Sequence, residues 1–210
     1  MIKAVLFDID NTLTWTDEHY IISVFSNTLK ELKENNWTHQ ELLNLWYTYK
    51  RNQMIKARNI DSDIFWKTFL KYDTKRINHT HFFKDSKIIK QLKKQGYKIA
   101  LVTGASLDIT DKVADKIGRQ YLDEITVAND AKIFNQLNAK PSPDSINHCL
   151  SNLHIKNSNA CYVGNGEEDI LAAQNANVLD ILIKRKTHPL EIKVKPTIEI
   201  DSLYELIKYI

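Results

Sequence analysis

The sequence predicts an α/β fold in which a doubly wound parallel sheet carries a small, all-helical domain inserted after its first strand. Three observations support this prediction. The apolar run at residues 4–7 ends abruptly in acidic and turn-forming residues, as a buried parallel strand does. Residues 15–84 contain no Gly and no Pro, and their apolar residues recur at helical spacing. After residue 85, predicted helices and strands alternate, which is typical of a parallel sheet with right-handed crossovers.

The insert is predicted to contain three or four helices that form a bundle. The apolar face of the first helix consists of Tyr20, Val24, Phe25, Leu29 and Leu32. The second helix begins after Thr38, because Thr38 and Glu41 have the spacing of a capping box. Its apolar residues are Leu42, Leu45, Trp46 and Tyr49. Asp61 is the predicted N-cap of a third helix that starts near Ser62.

The remaining elements follow in chain order after residue 85. They are a helix ending at 95, a strand at 98–103, a helix ending near 117, a strand at 124–128, a helix at 143–153, strands at 160–163, 181–183 and 197–200, and a terminal helix from 202. Gly96 and Gly118 mark the ends of two of these helices. We therefore divide the chain into a core, residues 1–14 and 85–210, and an inserted domain, residues 15–84.

Composition agrees with an enzyme of this size. With 210 residues, 43% hydrophobic and 26% charged, the chain can bury one core and a smaller second domain. No apolar stretch approaches the roughly 18 residues of a membrane span, and the first strand stands where a signal peptide would, so we expect a cytoplasmic protein. Cys149 and Cys161 are interpreted as small buried hydrophobic residues rather than a disulfide or a metal pair.

Asp8 and Asp10 stand at the end of the first predicted strand and are followed by Asn11 and Thr12. Because ligands bind α/β sheets at the carboxyl ends of the strands, we expect both acidic side chains in the crevice there. Side chains i and i+2 lie on one face of an extended chain, so both carboxylates can reach one ligand. A site with one nucleophile and one proton donor needs this arrangement.

Three further segments follow in order, each at the end of an apolar run or at the start of a helix. They are Leu101-Val102-Thr103-Gly104-Ala105-Ser106, Lys140-Pro141-Ser142-Pro143-Asp144 and Tyr162-Val163-Gly164-Asn165-Gly166-Glu167-Glu168-Asp169. Taken singly, each fits a simple turn, a helix cap or a solvated helix start. Together with Asp8-x-Asp10-x-Thr12, they resemble the four motifs of the haloacid dehalogenase superfamily of phosphohydrolases. The resemblance covers the whole core and implies a Rossmann-like catalytic core with a helical type-1 cap domain at residues 15–84.

The resemblance implies roles for the motif residues. Asp8 would be the nucleophile that forms an aspartyl phosphate, and Asp10 would protonate the leaving alcohol and then activate water. Thr103 and Lys140 would be the other two catalytic groups, because a hydroxyl and a cation both stabilise a negatively charged phosphoryl group. The amides that would surround the phosphoryl oxygens belong to Ile9, Asp10, Gly104 and Ala105.

The fourth motif departs from the usual pattern, because Asn165 replaces the acid that most phosphatases of this family have after the glycine. We expect a Mg²⁺ cofactor whose ligands are Asp8, the Asp10 carbonyl, Asn165 and Asp169, with Glu168 as an alternative. Asn offers only a neutral oxygen, so two other interpretations stay open. One is a metal-free dehalogenase, although Asp10 argues against it. The other is a non-catalytic, phosphate-binding relative.

The insert carries the whole net charge, with 11 Lys and Arg against 8 Asp and Glu, and the chain's formal charge is +3. Arg51 and Arg58 are the predicted substrate-binding cations of this domain, and a solvated helical face is the alternative. Its aromatic residues are interpreted first as bundle core and second as a substrate platform: Trp46, Tyr49, Trp66 and Phe69. The expected partner is a small phosphorylated metabolite. We expect neither a nucleic acid nor a membrane as partner, and a homodimer is left open.

Overall fold

The computed structural model describes residues 1–34, 36–129, 137–186 and 191–210. The strands in these residues are β1 (Ala4–Phe7), β2 (Thr14–Thr16), β3 (Thr80–Phe82), β4 (Lys98–Thr103), β5 (Glu124–Val127), β6 (Ala160–Gly164), β7 (Leu179–Ile183) and β8 (Ile198–Ile200). The α-helices are α1 (Glu18–Glu31), α2 (His39–Tyr47), α3 (Arg51–Lys56), α4 (Ser62–Tyr72), α5 (Ile88–Lys94), α6 (Leu107–Ile117), α7 (Asp144–Leu153) and α8 (Glu167–Asn175). Short 3-10 helices lie at Arg76–His79, Lys84–Lys87, Arg119–Tyr121, Asn157–Asn159 and Leu203–Lys208.

Within the described residues, six strands form one parallel sheet in the order β5-β4-β1-β6-β7-β8. Strand β1 lies in the middle, where Phe7 pairs with Leu101 on one side and with Val163 on the other. The chain builds the sheet outward from β1 in both directions. The strand order therefore reverses beside β1, and such a reversal opens a crevice at the carboxyl ends of the strands. The α/β fold class is confirmed.

The two faces of the sheet bury alternate residues of the same strands. Val5 and Phe7 of β1 pack with α5 and α6, whereas Ala4 and Leu6 pack with α7 and α8. This alternation follows from the two-residue period of a strand covered by helices on both sides. Cys149 and Cys161 are buried on opposite faces and are free thiols, which confirms their interpretation as apolar filling.

The insert folds into the predicted bundle, in which α1 to α4 surround their own apolar core. Both predicted helix starts are confirmed. The Thr38 Oγ1 atom accepts a hydrogen bond from the Glu41 amide at 3.2 Å, and the Glu41 carboxylate accepts from the Thr38 amide at 2.8 Å. The Asp61 carboxylate accepts from two amides of the first turn of α4, each at 2.9 Å. Helix α2 ends at Tyr47, so Tyr49 lies beyond the helix on which it was predicted.

The ends of the insert differ from the predicted all-helical domain. Strands β2 and β3 pair in antiparallel orientation and form a two-stranded ribbon at the junction with the core. Each strand has only three residues, which is too short for a two-residue hydrophobic period to be recognised in the sequence. The predicted terminal helix is a 3-10 helix, Leu203–Lys208. No helix in the described part of the chain has the length and apolar character needed to span a membrane.

Candidate active site

A cavity of about 140 Å³ opens between the carboxyl ends of the central strands and the helical insert. The core residues that line it are Asp8, Asp10, Asn11, Thr103, Gly104, Ala105, Ser106, Ala128, Asn129, Ala139, Lys140, Asn165 and Glu168. The residues of the helical insert that line it are Trp46, Tyr47, Arg51, Trp66, Phe69, Leu70 and Arg76. All four sequence motifs therefore meet at one place.

The end of β1 directs Asp8 and Asp10 into this cavity. The Asp8 amide still pairs with the Val163 carbonyl at 3.0 Å, so the chain is extended at this point. The side chain of Ile9 points the other way and is fully buried in the core. Ile9 can therefore reach a ligand only through its backbone. Asn11 then turns the chain with a φ of +57°, a left-handed conformation that Asn tolerates better than most residues.

Asp8 is held by Lys140, whose Nζ atom donates to Asp8 Oδ1 at 2.7 Å. Burial raises the pKa of Asp8 to about 7, and Lys140 opposes this shift while Asp169 adds to it. This pKa already includes the opposing effect of Lys140, so the carboxyl group is only partly ionised at neutral pH, and full ionisation needs a further positive charge beside it. Lys140 is the cation that its sequence motif predicts beside Asp8.

Lys140 is itself fixed by the core. Its Nζ atom donates to Asp169 Oδ1 at 2.5 Å and to the Tyr162 hydroxyl at 3.0 Å. The Tyr162 hydroxyl donates in turn to the Val102 carbonyl at 2.9 Å. Burial works against the charge of Lys140, but Asp169 and Asp8 raise its pKa well above the ordinary value. Lys140 is therefore a permanent, immobile cation beside the predicted nucleophile.

Asp10 has a different cationic partner, Arg76, whose Nη1 atom lies 3.3 Å from Asp10 Oδ2. Arg76 also donates to Asp73 from two of its nitrogens, and its guanidinium carbon lies 5.1 Å from the centre of the Trp46 ring. Burial raises the pKa of Asp10, and Arg76 opposes that shift. A raised pKa suits a carboxyl group that must carry a proton during part of a reaction.

The second motif places a hydroxyl beside these acids. Thr103 ends β4, is almost fully buried and lines the cavity together with Gly104 and Ala105. The Thr103 Oγ1 atom accepts a hydrogen bond from the Ala105 amide at 3.1 Å. This bond fixes the hydroxyl oxygen, whose proton can then point to an acceptor in the cavity. Ser106, the next residue, is the N-cap of α6, so the loop is continuous with the start of a helix.

The residues present fit a magnesium ion by donor type. Asp8 offers a carboxylate, Asn165 an amide oxygen and Asp10 a backbone carbonyl, all of them oxygens that a hard divalent cation prefers. The Asn165 Oδ1 atom accepts from Thr12 Oγ1 at 3.2 Å and lines the cavity. No group of three or more His, Cys, Asp or Glu side chains converges within the described residues, so such a site would depend on mixed donors.

Both carboxylate oxygens of Asp169 have partners within the protein, and its assignment as a metal ligand stays a prediction. Its Oδ1 atom binds Lys140, and its Oδ2 atom accepts from the amides of Asn165 and Gly166, each at 2.9 Å. A Cβ atom at residue 164 would overlap the Asp169 side chain, which explains the glycine there. Asp169 therefore positions the loop and the lysine. Glu168 lines the cavity, and burial together with Asp169 raises its pKa, so it is a second acidic candidate for a metal ligand.

The structure separates the two arginines that were predicted to bind substrate. Arg51 lines the cavity, with its guanidinium carbon 5.9 Å from the centre of the Trp66 ring. Arg58 instead forms an ion pair with Glu41 at 2.5 Å and packs against the Trp37 ring. Arg58 is absent from the described lining of the cavity, so this geometry does not support its predicted role in substrate binding.

Sequence reasoning missed Arg76, which is nearly fully buried at the junction between the cap domain and the core. The available signal was Asp73, three residues earlier at the end of a predicted helix, where an acid and an arginine can pair. Tyr162 was also missed, although a tyrosine inside an otherwise apolar strand usually has a hydrogen-bond partner. Trp46 and Trp66 pack on the bundle core, as first interpreted, and also line the cavity, so their role as a substrate platform stays a prediction.

Comparison with known proteins identifies the family. The sequence profile of the haloacid dehalogenase-like hydrolases matches residues 5–183, and the chain belongs to this family. It is a hydrolase of that class. Among characterised relatives, the chain is 28% identical over 196 residues to the pyrophosphatase PpaX of Bacillus mycoides (strain KBAB4). That alignment covers 87% of this chain and 83% of the relative.

Solved structures share the fold over almost the entire chain. A Bacteroides fragilis protein described as a haloacid dehalogenase-like hydrolase has a TM-score of 0.82 at 20% identity, covering 98% of this chain and 100% of its own. CbbY from Rhodobacter sphaeroides, solved in complex with phosphate, has a TM-score of 0.74 at 22% identity, covering 98% and 96%. At these identities the likeness establishes the fold.

Proposed function

We propose that this hydrolase is a Mg²⁺-dependent phosphohydrolase that cleaves a small-molecule phosphate monoester through an aspartyl-phosphate intermediate on Asp8. One observation carries the proposal. Asp8 and Asp10 face the same cavity from one strand end, and each is paired with its own buried cation, Lys140 at 2.7 Å and Arg76 at 3.3 Å. Two carboxyl groups in different environments can take the separate roles of nucleophile and acid.

The first half of the reaction uses Asp8 and the cations around it. An oxygen of Asp8 attacks phosphorus, and the bond between phosphorus and the ester oxygen breaks. Lys140 balances the charge of the attacking carboxylate, and the Thr103 hydroxyl and the amides of the same loop donate to phosphoryl oxygens. Asp10 gives its proton to the departing alkoxide, so the alcohol leaves neutral.

The second half returns the enzyme to its starting state. Asp10, now ionised, accepts a proton from water while that water attacks the phosphorus of the aspartyl phosphate. Inorganic phosphate is released and Asp8 is regenerated. Arg76 stabilises the ionised form of Asp10 between the two steps, because its guanidinium lies beside the carboxylate. The same residue therefore serves as acid and then as base.

A magnesium ion would be held by Asp8, the Asp10 carbonyl and Asn165, with Glu168 as an alternative acid. When bound, it neutralises negative charge on the phosphoryl group and lowers the pKa of Asp8. Only one of the three proposed ligands is a carboxylate. We therefore expect this site to bind Mg²⁺ more weakly than a site with two carboxylates would. The neutral Asn165 is the distinguishing feature of this site.

Inorganic pyrophosphate is a second candidate substrate, because a relative that aligns with 87% of the chain is named a pyrophosphatase and Arg51 adds a further cation to the cavity. The dehalogenase interpretation has less support. Its chemistry has no alkoxide to protonate, whereas Asp10 lies in the cavity beside Arg76. A decayed, non-catalytic site is disfavoured because the pairing of Lys140 with Asp8 and Asp169 is complete.

The expected partner remains a small phosphorylated metabolite. The phosphate bound to CbbY, which shares this fold, is consistent with that class of ligand. A cytoplasmic location, the absence of nucleic-acid and membrane partners, and a homodimeric assembly remain predictions of the sequence. Size-exclusion chromatography with light scattering measures the last of these directly.

Hydrolysis of p-nitrophenyl phosphate with and without EDTA tests the proposed function. We expect phosphate release that EDTA abolishes and that Mg²⁺ restores. Hydrolysis of 2-chloropropionate that EDTA does not affect would identify a metal-free dehalogenase instead. Phosphate binding without turnover of any ester or of pyrophosphate would identify a non-catalytic relative.

The variant Asn165→Asp tests the metal ligands. Replacing a neutral oxygen by a carboxylate strengthens binding of a divalent cation, so the Mg²⁺ concentration for half-maximal activity should fall about tenfold. The measurement is a Mg²⁺ titration of wild type and variant, followed by phosphate release. An unchanged or higher requirement would show that Asn165 does not contact the metal, and Glu168→Gln then becomes the informative variant.

A further inference from the structure

The two halves of the cavity have opposite chemical character. The core half presents the charged groups Asp8, Asp10, Lys140 and Glu168. The described cap-domain half presents five large aromatic or aliphatic side chains beside the two cations Arg51 and Arg76: Trp46, Tyr47, Trp66, Phe69 and Leu70. The phosphoryl group belongs at the charged end by the function proposed above. The remainder of the substrate must therefore lie against the aromatic side chains of the other half, which we call the aromatic wall.

The aromatic wall is preorganised by packing within the insert. Trp66 meets the rings of Phe65 and Phe69 edge to face, at centroid distances of 5.1 and 5.5 Å and angles of 84° and 73°. The indole N–H of Trp66 already has a partner within the protein, because its Nε1 atom donates to Asn52 Oδ1 at 2.7 Å. Trp66 is partly exposed, and it lines the cavity. A held ring offers contact area at a small cost in side-chain entropy.

Trp46 contributes a second ring from a neighbouring helix. It lies edge to face with Phe25 at 6.4 Å, and the Arg76 guanidinium lies against it at 5.1 Å from the ring centre. Arg76 also contacts Asp10. The aromatic wall is therefore continuous, through Arg76, with the group that must protonate the leaving oxygen. A leaving group held against the wall lies next to its proton donor.

The same wall is unsuited to a leaving group rich in hydroxyls. Sugars and short hydroxy acids need a hydrogen-bond partner for each polar group that is buried. Among the described cap-domain residues that line the cavity, besides the two indoles and Arg76, only Tyr47 and Arg51 carry polar atoms. Planar rings, in contrast, gain from contact with tryptophan faces and edges.

We propose that the substrate is a phosphate monoester whose alcohol carries a planar aromatic ring, and that Trp66 and Trp46 form the ring-binding subsite. The proposal rests on the phosphohydrolase function proposed above. Hydrolysis breaks the bond between phosphorus and the ester oxygen, water supplies the new oxygen of phosphate, and the aromatic alcohol leaves with a proton from Asp10.

Three primary alkyl phosphates isolate the contribution of the ring. In 2-phenylethyl phosphate, 2-cyclohexylethyl phosphate and glycerol 1-phosphate the phosphate is attached to a primary carbon, so the chemical step is closely matched. We expect kcat/KM for the phenyl ester to exceed that for glycerol 1-phosphate by about tenfold or more. It should exceed that for the cyclohexyl ester by about threefold, because only the planar ring gains aromatic contacts.

Variants of two tryptophans locate the subsite. Trp66→Leu should reduce the preference for the phenyl ester over glycerol 1-phosphate to about twofold or less, whereas Trp66→Phe should retain most of it. Trp37→Leu is the matched control. Trp37 packs against the same bundle core and beside Arg58, but it does not line the described cavity. This control should keep the wild-type preference, with thermal melting used to confirm that each variant is folded.

Calorimetric binding to the Asp8→Asn protein separates failure of the subsite from failure of the proposed function. Tighter binding of 2-phenylethyl phosphate than of glycerol 1-phosphate supports the ring subsite even if no ester is turned over. Equal or reversed affinity, equal kcat/KM for the ring and ringless esters, or an unchanged preference in folded Trp66→Leu would overturn it. A cyclohexyl ester as good as the phenyl ester would also overturn it, because the wall would then select apolar bulk rather than a planar ring.

Discussion

Asp8 and Asp10 stand two residues apart on one strand end, yet their cationic partners come from different domains. Lys140, which belongs to the core, donates to Asp8 at 2.7 Å. Arg76, which lies at the carboxyl end of the inserted cap domain, contacts Asp10 at 3.3 Å. The proposed nucleophile is thus held by a residue of the core, whereas the proposed acid is held by a residue of the helical insert.

The anchors of the two cations sharpen this difference. Lys140 is held by Tyr162, which belongs to strand β6, and by Asp169, which belongs to the following helix α8. Arg76 is held by Asp73 and stacked on Trp46, both of which belong to the cap domain. A displacement of the helical insert would therefore disturb the surroundings of Asp10 before those of Asp8. Two adjacent acids can share a cavity and still respond to different parts of the protein.

The largest effect is expected for Asp8→Asn, which tests whether Asp8 is the nucleophile at all. Asn has nearly the same shape but no negative charge, so turnover should fall more than about a thousandfold while the fold is retained. Phosphate release and thermal melting measure the two properties. Retention of more than about a tenth of the wild-type rate would contradict the assignment of Asp8 as the nucleophile. Such a rate corresponds to an activation barrier raised by under about 1.4 kcal/mol.

Asp10→Asn tests whether Asp10 is the general acid. The loss of a general acid and base should lower kcat for 2-phenylethyl phosphate by about a hundredfold or more. The loss should be at least about tenfold smaller for p-nitrophenyl phosphate, because p-nitrophenolate leaves without protonation. Steady-state kinetics with both esters give the ratio. An equal penalty for the two esters would mean that Asp10 is not the general acid.

The pKa of Asp8 predicts a pH-dependent stability. The folded-state pKa of about 7 lies above the unfolded value of about 3.8, so the folded chain binds more protons and loses stability as pH rises between these values. The shift corresponds to about 4 kcal/mol at most. In EDTA, the melting temperature of Asp8→Asn minus that of wild type should therefore increase by up to about 10 °C as the pH rises from 4 to 8.

The exposed residue Asp201 provides the control for that measurement, since its side chain is 79% exposed. Asp201→Asn should melt in parallel with wild type across the same pH range. If wild type and Asp8→Asn also melted in parallel, the carboxylate would be stabilised as an anion in the folded chain, and Lys140 would outweigh the cost of burial.

A smaller effect is expected for Arg76→Lys, which tests the tie between the cap domain and Asp10. Lysine keeps the charge but cannot bind Asp73 from two nitrogens and contact Asp10 with a third. We expect kcat for 2-phenylethyl phosphate to fall about tenfold with little change in KM, and a smaller loss with p-nitrophenyl phosphate. Proportional losses for both esters, or a change confined to KM, would place Arg76 outside proton transfer and restrict it to holding the cap domain.

Much of the core site could be predicted because its signals are local in sequence. The strand that ends at Phe7, the acids after it, and the segments at Thr103, Lys140 and Asn165 each combine an apolar run with its breaking residues. The capping box is equally local, since both of its hydrogen bonds join Thr38 and Glu41, which are three positions apart. Such features depend on backbone periodicity and hydrogen-bond geometry over a few residues.

The cap domain was predicted less completely, because its contribution to the site depends on which helix face meets the core. Arg51 and Arg58 both stand among basic residues of the sequence, and only packing decides that Arg51 lines the cavity while Arg58 pairs with Glu41. Likewise, the sequence could not decide between bundle core and substrate platform for Trp66. In the structure one side of the residue packs on the bundle and another lines the cavity.

The sequence by itself determined the α/β class, the inserted helical bundle and the carboxylates Asp8 and Asp10 at the end of the first strand. Only the tertiary structure decided that Arg76 contacts Asp10, a residue 66 positions earlier, and that Asp169 holds Lys140 and the fourth-motif loop. The physical reason is the range of the interactions. Hydrophobic period and capping act between neighbours, whereas a buried charge takes its partner from whichever segment the packed core brings beside it.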